Sequence, residues 1–468
     1  MNRTAVGWQC MLPGAVAALL ALVAGSTAAE PAAPPHIDLI IQHARVFDGH
    51  APQLLEDREI RIGGNKILAV NAPGTPDASD TAGARVIDAG GRVVTPGLID
   101  AHTHPMINLA SPALKDADPN YVTARATVEL HKMLMRGFTT IRDTGGPVFG
   151  VKQAIDEGLI DGPRIFPSGA IISQTSGHAD YRGRNTAPRR WGGEIEPTEK
   201  FGYGLIADGP DEVLTAVREQ LRLGATQIKL AAGGGISSNY DPIDSVQFLD
   251  AELRAAVAAA ADWGTYVTVH AYTVTAIRRS IEAGVRCIEH GHLIDEPTMQ
   301  LIAARGVWLS PQAFVFGAGG ASLFSTRATS AASLTAAQLA QRQKSQLVSA
   351  GLDQMMRLAK KYRVKIAFGT DMFGSPLVFD AQLRELSARL QWFSSAEVLR
   401  QATGNNGDLL GMSGPRNTYG KLGVIEPGAL ADLLIVDGNP LEDVRVLENS
   451  EKNLRAIIKD GKVYKLTL

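Results

Sequence analysis

Cysteine is almost absent from this chain: Cys10 and Cys287 are the only two in 468 residues. Cys10 lies in an N-terminal segment expected to be removed, which leaves Cys287 alone and excludes a disulfide-stapled scaffold. Nor is there an excess of charge of either sign. Lys and Arg number 46 against 48 Asp and Glu, a formal net charge of −2, without the basic stripe or high pI of a nucleic-acid binder. With 45% hydrophobic and 20% charged residues, the composition is neither disordered nor collagen-like nor that of a coiled coil. Long apolar runs are also lacking, with one exception at residues 11–24, broken by Pro13 and Gly14. Arg3 precedes that run, and small residues follow at 25–29. This is the charged, apolar, small-residue order of a secretory signal peptide over residues 1–29. The run falls short of the ~20 apolar residues of a membrane span. An exported protein, periplasmic or secreted and without a stable membrane anchor, is expected.

Glycine and proline, by contrast, are plentiful at 48 and 24, as repeated strand–loop–helix units require. Short strands are expected at 37–41 and 58–62, and a similar β pattern returns at 431–436 and 454–459. The simplest arrangement is a small β-sandwich domain built from both termini, residues 30–95 and 413–468, around a central domain at 96–412. There, apolar strands alternate with Ala-rich helical stretches such as 211–223, 250–263 and 276–283, the sign of a parallel sheet with crossover helices. Eight strands are expected to end near residues 102, 143, 168, 230, 270, 290, 310 and 369. Eight such units fit a TIM-type (β/α)8 barrel, whose chemistry sits at the C-terminal strand ends. A doubly wound open sheet would carry a Gly-rich phosphate loop after its first strand. Here that strand ends in His102-Thr103-His104. Two long loops, 173–210 and 316–350, read as lids, specificity elements or subunit contacts.

His102 and His104, two apart on an extended segment, point to the same side. Alone, such a pair is weak evidence for a metal. Lys229, His270, His290 and Asp371, however, fall at the ends of the fourth, fifth, sixth and eighth strands, where a barrel gathers them. Five nitrogen and oxygen donors of types that Zn²⁺ accepts, plus a lysine, are difficult to explain as core filling. An ammonium beside two metals would repel them. A buried lysine of depressed pKa instead reacts with CO₂ to give a carbamate, an anionic bridge.

The pattern His102-Thr103-His104, Lys229, His270, Glu289-His290-Gly291 and Gly369-Thr370-Asp371 resembles the binuclear branch of the amidohydrolase superfamily. So do residues 402–406 and the tail at 423–433. Ser176-Gly177-His178-Ala179-Asp180 and His270-Ala271-Tyr272 are most similar to prolidase-like, imidazolonepropionase-related members, which cleave Xaa-Pro and other dipeptides or N-acyl amino acids, ochratoxin-type amides among them. Ser176 and Ala179 stand where that pattern has glycine. The resemblance implies two divalent metal ions, most simply Zn²⁺. His102, His104 and Asp371 would hold one, His270 and His290 the other, and carboxylated Lys229 would bridge them. A metal-bridging hydroxide would attack the amide, with Asp371 as general base. His178 would assist catalysis, and His178, Tyr272 and His292 would contact a small-molecule amide substrate, His292 chiefly from behind His290. A homo-oligomer is implied as well. A cyclic-amide hydrolase, a lactonase or a deaminase on the same barrel is the alternative, with Lys229 disfavouring the deaminase. A silent scaffold would be expected to have lost ligands.

Overall fold

The computed structural model describes residues 36–76, 79–317 and 334–468. The expected signal peptide lies outside the described residues. Eight parallel strands follow one another around the central domain: Leu98–Thr103, Phe138–Asp143, Arg164–Pro167, Ile228–Ala231, Val267–Thr273, Cys287–Leu293, Trp308–Ser310 and Lys365–Ile366. They coincide with the eight expected from sequence. The first three form one ladder and the last five belong to another. Hydrogen bonds join the two at both seams. On one side Ala101 N–H donates to the Phe368 carbonyl at 2.8 Å and His104 N–H to the Met372 carbonyl at 3.0 Å. On the other, Thr226 N–H donates to the Pro167 carbonyl at 2.8 Å, and the Gln227 side chain donates to the Phe166 carbonyl at 3.0 Å. A buried amide side chain thus completes the ring where the backbone ladder breaks.

The helices pack outside this ring through one apolar stripe each. In Pro210–Leu223 the buried positions are Val213, Ala216, Val217, Gln220 and Leu221, the three-and-four spacing of an amphipathic helix. Pro210 opens that helix and Gly224 closes it in the left-handed region, as helix-end chemistry favours. The expected helices at 250–263 and 276–283 appear as Asp250–Asp262 and Val274–Ala283.

Both termini contribute to one eight-stranded sheet, ordered Lys462–Leu466, Leu454–Lys459, Leu433–Val436, Val93–Pro96, Leu39–Val46, Leu55–Gly63 and Lys66–Asn71, with Arg85–Asp88 also paired to Leu39–Val46. The N- and C-terminal parts meet where Val94 faces Ile435 in an antiparallel pair. The sheet curls until its ends touch: a Cβ on Gly461 would lie 2.2 Å from the Gly64 carbonyl. Ile60, Ile62 and Ile67 thereby share a core with Ile435 and Ile458.

One expectation needs correction. Residues 336–350 are not loop but the first half of a 26-residue helix, Ala336–Lys361. Thr335 and Gln338 form a capping box at its start, and the polar, Ala- and Ser-rich composition taken for loop belongs to an exposed helical face. Of the expected second loop, residues 318–333 lie outside the described residues. The first, 173–210, is mostly irregular, with a short strand at Gly204–Ile206 and single turns at Arg189–Trp191 and Pro197–Lys200. Among the described residues no helix is long and apolar enough to cross a membrane.

Candidate active site

His102 and His104 leave the first strand on the same side, as their spacing requires. Their Nε2 atoms lie 3.4 and 3.3 Å from Asp371 Oδ1, and all three residues are buried. One ligand atom from each falls within 4.8 Å of the others. The remaining histidines close the ring: the His102 and His290 rings are 5.0 Å apart and those of His270 and His290 4.5 Å. Lys229, buried within the fourth strand, Ile228–Ala231, is close enough for the Glu289 and Asp371 carboxylates to act on its charge.

Each imidazole is held from behind through its outer nitrogen. His102 Nδ1–H donates to Glu289 Oε2 at 2.8 Å, His104 Nδ1–H to the Gly145 carbonyl at 3.1 Å, and His290 Nδ1–H to Gln312 Oε1 at 2.6 Å. His270 reverses the pattern, its Nε2–H donating to the Gly234 carbonyl at 3.2 Å. These acceptors fix the protons on the outer nitrogens and leave lone pairs on the inner ones, the arrangement of metal-binding histidines. The donor set, four imidazoles and a carboxylate gathered in a buried ring, fits a divalent cation.

The electrostatics agree. Burial pushes the Asp371 carboxyl up, but the His102 and His104 imidazoles beside it, His102 foremost, outweigh burial and hold the group well below the usual carboxylate range. Burial drives His270 and His290 well below the ordinary imidazole value and lowers His104 too. Lys229 is likewise lowered by burial, against the pull of Glu289 and Asp371.

Glu289 anchors this centre and was not assigned a role from sequence. Fully buried, it accepts from Arg142 Nη2 at 2.6 Å, from His102, and from the Thr268 hydroxyl. In a regular strand Glu289 and His290 would point to opposite faces. The backbone of His290 has φ of 73°, and both side chains reach His102. Glu289 stands in the quoted Glu-His-Gly motif, but Arg142 and Gln312 carry no local signal.

The three expected substrate contacts surround this cluster. His178 stacks on His270 with ring centroids 4.1 Å apart, and its Nδ1 is 2.6 Å from Ser238 Oγ. Tyr272 lies edge-on to His270 at 4.8 Å and 5.1 Å from the His290 ring. Burial raises its phenol well above the usual tyrosine value, so it stays a donor. His292 lies within the sixth strand, Cys287–Leu293, rather than beyond its end. Its Nε2–H donates to the Gln312 carbonyl at 3.3 Å, and its ring packs on Phe316 at 4.5 Å. In the 173–210 loop, Arg182, Arg189 and Arg190 are occupied by acidic partners, Asp180, Glu199 and Glu212 respectively. His36, His43, His50 and His131 are exposed, away from the site.

A barrel with imidazoles and a carboxylate converging at its strand ends, flanked by a β-domain from both termini, defines the class of metal-dependent hydrolases. Residues 93–464 match the model of the Amidohydrolase family. The chain belongs to that family and is an enzyme hydrolysing amide bonds. It is 29% identical over 395 residues to the ochratoxinase of Aspergillus niger, covering 80% of this chain and 76% of that protein. A crystal structure of a prolidase complexed with N-methylphosphonate-L-proline is similar at TM-score 0.81 and 33% identity, covering 92% of this chain and 99% of the other. A Xaa-Pro dipeptidase with bound methionine in its active site is similar at TM-score 0.76 and 31% identity, covering 91% and 99%. These relatives set the chain in the prolidase-like branch.

Proposed function

We propose that this enzyme hydrolyses the amide of Xaa-Pro-like dipeptides or of N-acyl and N-aroyl amino acids, ochratoxin-type amides included. The observation that carries this reading is the convergence of His102, His104 and Asp371 with His270, His290 and Lys229 at one barrel rim, in a chain related to an ochratoxinase and to prolidases. His102, His104 and Asp371 would hold one divalent ion, His270 and His290 a second, and carboxylated Lys229 would bridge them. The burial that lowers Lys229 favours the neutral amine that reacts with CO₂. Bound there, two such ions, most simply Zn²⁺, lower the pKa of water and polarise the scissile carbonyl.

The chain's own residues do the rest. Asp371, kept ionised, takes the proton of the attacking water and returns it to the leaving amine nitrogen. Glu289 and Gln312 keep His102 and His290 turned so that their Nε2 lone pairs face the centre. His178 and Tyr272 donate to the substrate carbonyl or carboxylate, stabilising the oxyanion as the carbonyl carbon becomes tetrahedral. His292 shapes the wall behind His290 and Tyr272. We further propose that residues 1–29 direct export to the periplasm or medium, that 30–95 and 413–468 form one β-domain around the barrel at 96–412, and that the enzyme is a homo-oligomer.

Incubating the zinc-supplemented mature chain with dipeptides, N-acyl amino acids, lactones and deaminase substrates, with products identified by mass spectrometry, tests this. Release of free C-terminal amino acids is expected. Ring-opened lactones or ammonia without amide cleavage would overturn the substrate class.

A further inference from the structure

Between the fourth strand and the Asp250–Asp262 helix, one loop reaches back into the site and grips two of its histidines. The Gly234 carbonyl accepts from His270 Nε2–H at 3.2 Å. Four residues on, Ser238 Oγ lies 2.6 Å from His178 Nδ1, and Asp241 Oδ2 lies 3.7 Å from the same atom. The approach is so close that a Cβ on Gly235 would fall 1.9 Å from His178 Nδ1. The loop also folds on itself: Gly235 N–H donates to Asp241 Oδ2 at 2.7 Å, and Gly233 bridges Val246. Asp241 is 2% exposed, and its Oδ1 accepts no hydrogen bond.

From outside, Lys344 of the helix Ala336–Lys361 clips this loop shut. Its Nζ donates to the carbonyls of Gly235, Ser238 and Asp241 at 3.0, 2.9 and 2.6 Å. That uses all three hydrogens of an ammonium. Asp241 Oδ1, 3.9 Å away, supplies the opposing charge. A lysine decorating a helix would keep its head in water. This one is drawn in and fully matched, which is how a polar group is held away from solvent without penalty.

We propose that Lys344 and Asp241 are positioning residues: they lock the 233–245 loop and, through Ser238, fix the His178 ring over His270. The helix Ala336–Lys361 thereby becomes part of the site's scaffold, although none of its residues is placed among the reacting groups. This rests on the proposed role of His178 toward the substrate carbonyl.

The test uses the zinc-loaded full chain. Lys344→Met is expected to lower kcat about tenfold, with KM and bound metal unchanged, and Lys344→Arg, which still donates to carbonyls, to recover most of it. In a His178→Ala background Lys344→Met is expected to cost nothing further, because residues acting as one unit are not additive. An equal loss in both backgrounds, or an arginine variant as impaired as the methionine one, overturns the proposal. If His178→Ala itself leaves kcat intact, the catalytic role of His178 fails, and hydrogen exchange decides the positioning claim. Faster exchange in residues 174–181 of the Lys344→Met variant sustains it, and unchanged exchange there overturns it.

Discussion

His290 and Asp371 both have backbones in the left-handed region, with φ of 73° and 55°, a conformation that costs an L-residue roughly 1–2 kcal/mol. Such strain persists where the surroundings over-determine it, commonly at functional sites. Here it turns His290 toward His102 on the same side as Glu289. Ser176 and Ala179, at φ of 61° and 75°, take up the conformation that glycine would supply in the family pattern. Ser176 is exposed, so Ser176→Gly is expected to stabilise the chain by about 1 kcal/mol in chemical denaturation without altering kcat. Asp371→Asn keeps the shape but removes the base, and kcat is expected to fall by about 10²–10⁴-fold. Glu289→Gln leaves the buried Arg142 without its counter-charge, a loss of about 3–5 kcal/mol. The same change gives His102 Nδ1–H a neutral acceptor in place of a charged one, so metal affinity measured by competition with a chelator is expected to drop by about 10–100-fold.

Among elements, the segment that follows the eighth barrel strand packs tightly against the site. A Cβ on Gly369 would come within 2.7 Å of His102 Cβ and 3.0 Å of Ser310 Oγ. Gly369→Ala is therefore expected to displace His102 and lower both metal content and Tm, read by elemental analysis and thermal unfolding. The strands and their order were legible because buried parallel strands are short apolar runs whose polar termini stand out. The helix Ala336–Lys361 was not, because its first half is exposed and polar and carries almost no apolar stripe. The six candidate ligands were legible from their places near the expected strand ends. The groups that orient them were not: Arg142 meets Glu289 across 147 residues of sequence, and Lys344 meets the Gly235 carbonyl across 109. Those pairings are created by the closure of the barrel and the packing of helices on it, and no local pattern encodes them.

At the scale of the whole molecule, the barrel and the terminal sheet are tied by a buried ion-pair group. Arg164, 1% exposed and in the third barrel strand, donates to Asp432 Oδ2 at 2.5 Å and to Asp460 Oδ1 at 2.6 Å. Asp432 precedes the strand Leu433–Val436, and Asp460 sits in the turn after Leu454–Lys459. Lys459 Nζ adds a bond to the Gly162 carbonyl at 2.9 Å. Arg164→Met strands the buried Asp432 carboxylate at the junction, and a loss of about 3–5 kcal/mol is expected, seen as a lowered Tm. The sheet thus braces the N-terminal ends of the barrel strands, leaving the C-terminal rim free for chemistry. The most direct test of that chemistry is amide hydrolysis by the metal-stripped chain as Zn²⁺ is added back. Activity is expected to vanish on stripping and to return to a plateau at about two equivalents. Hydrolysis that survives removal of the metal would contradict this metal-dependent chemistry.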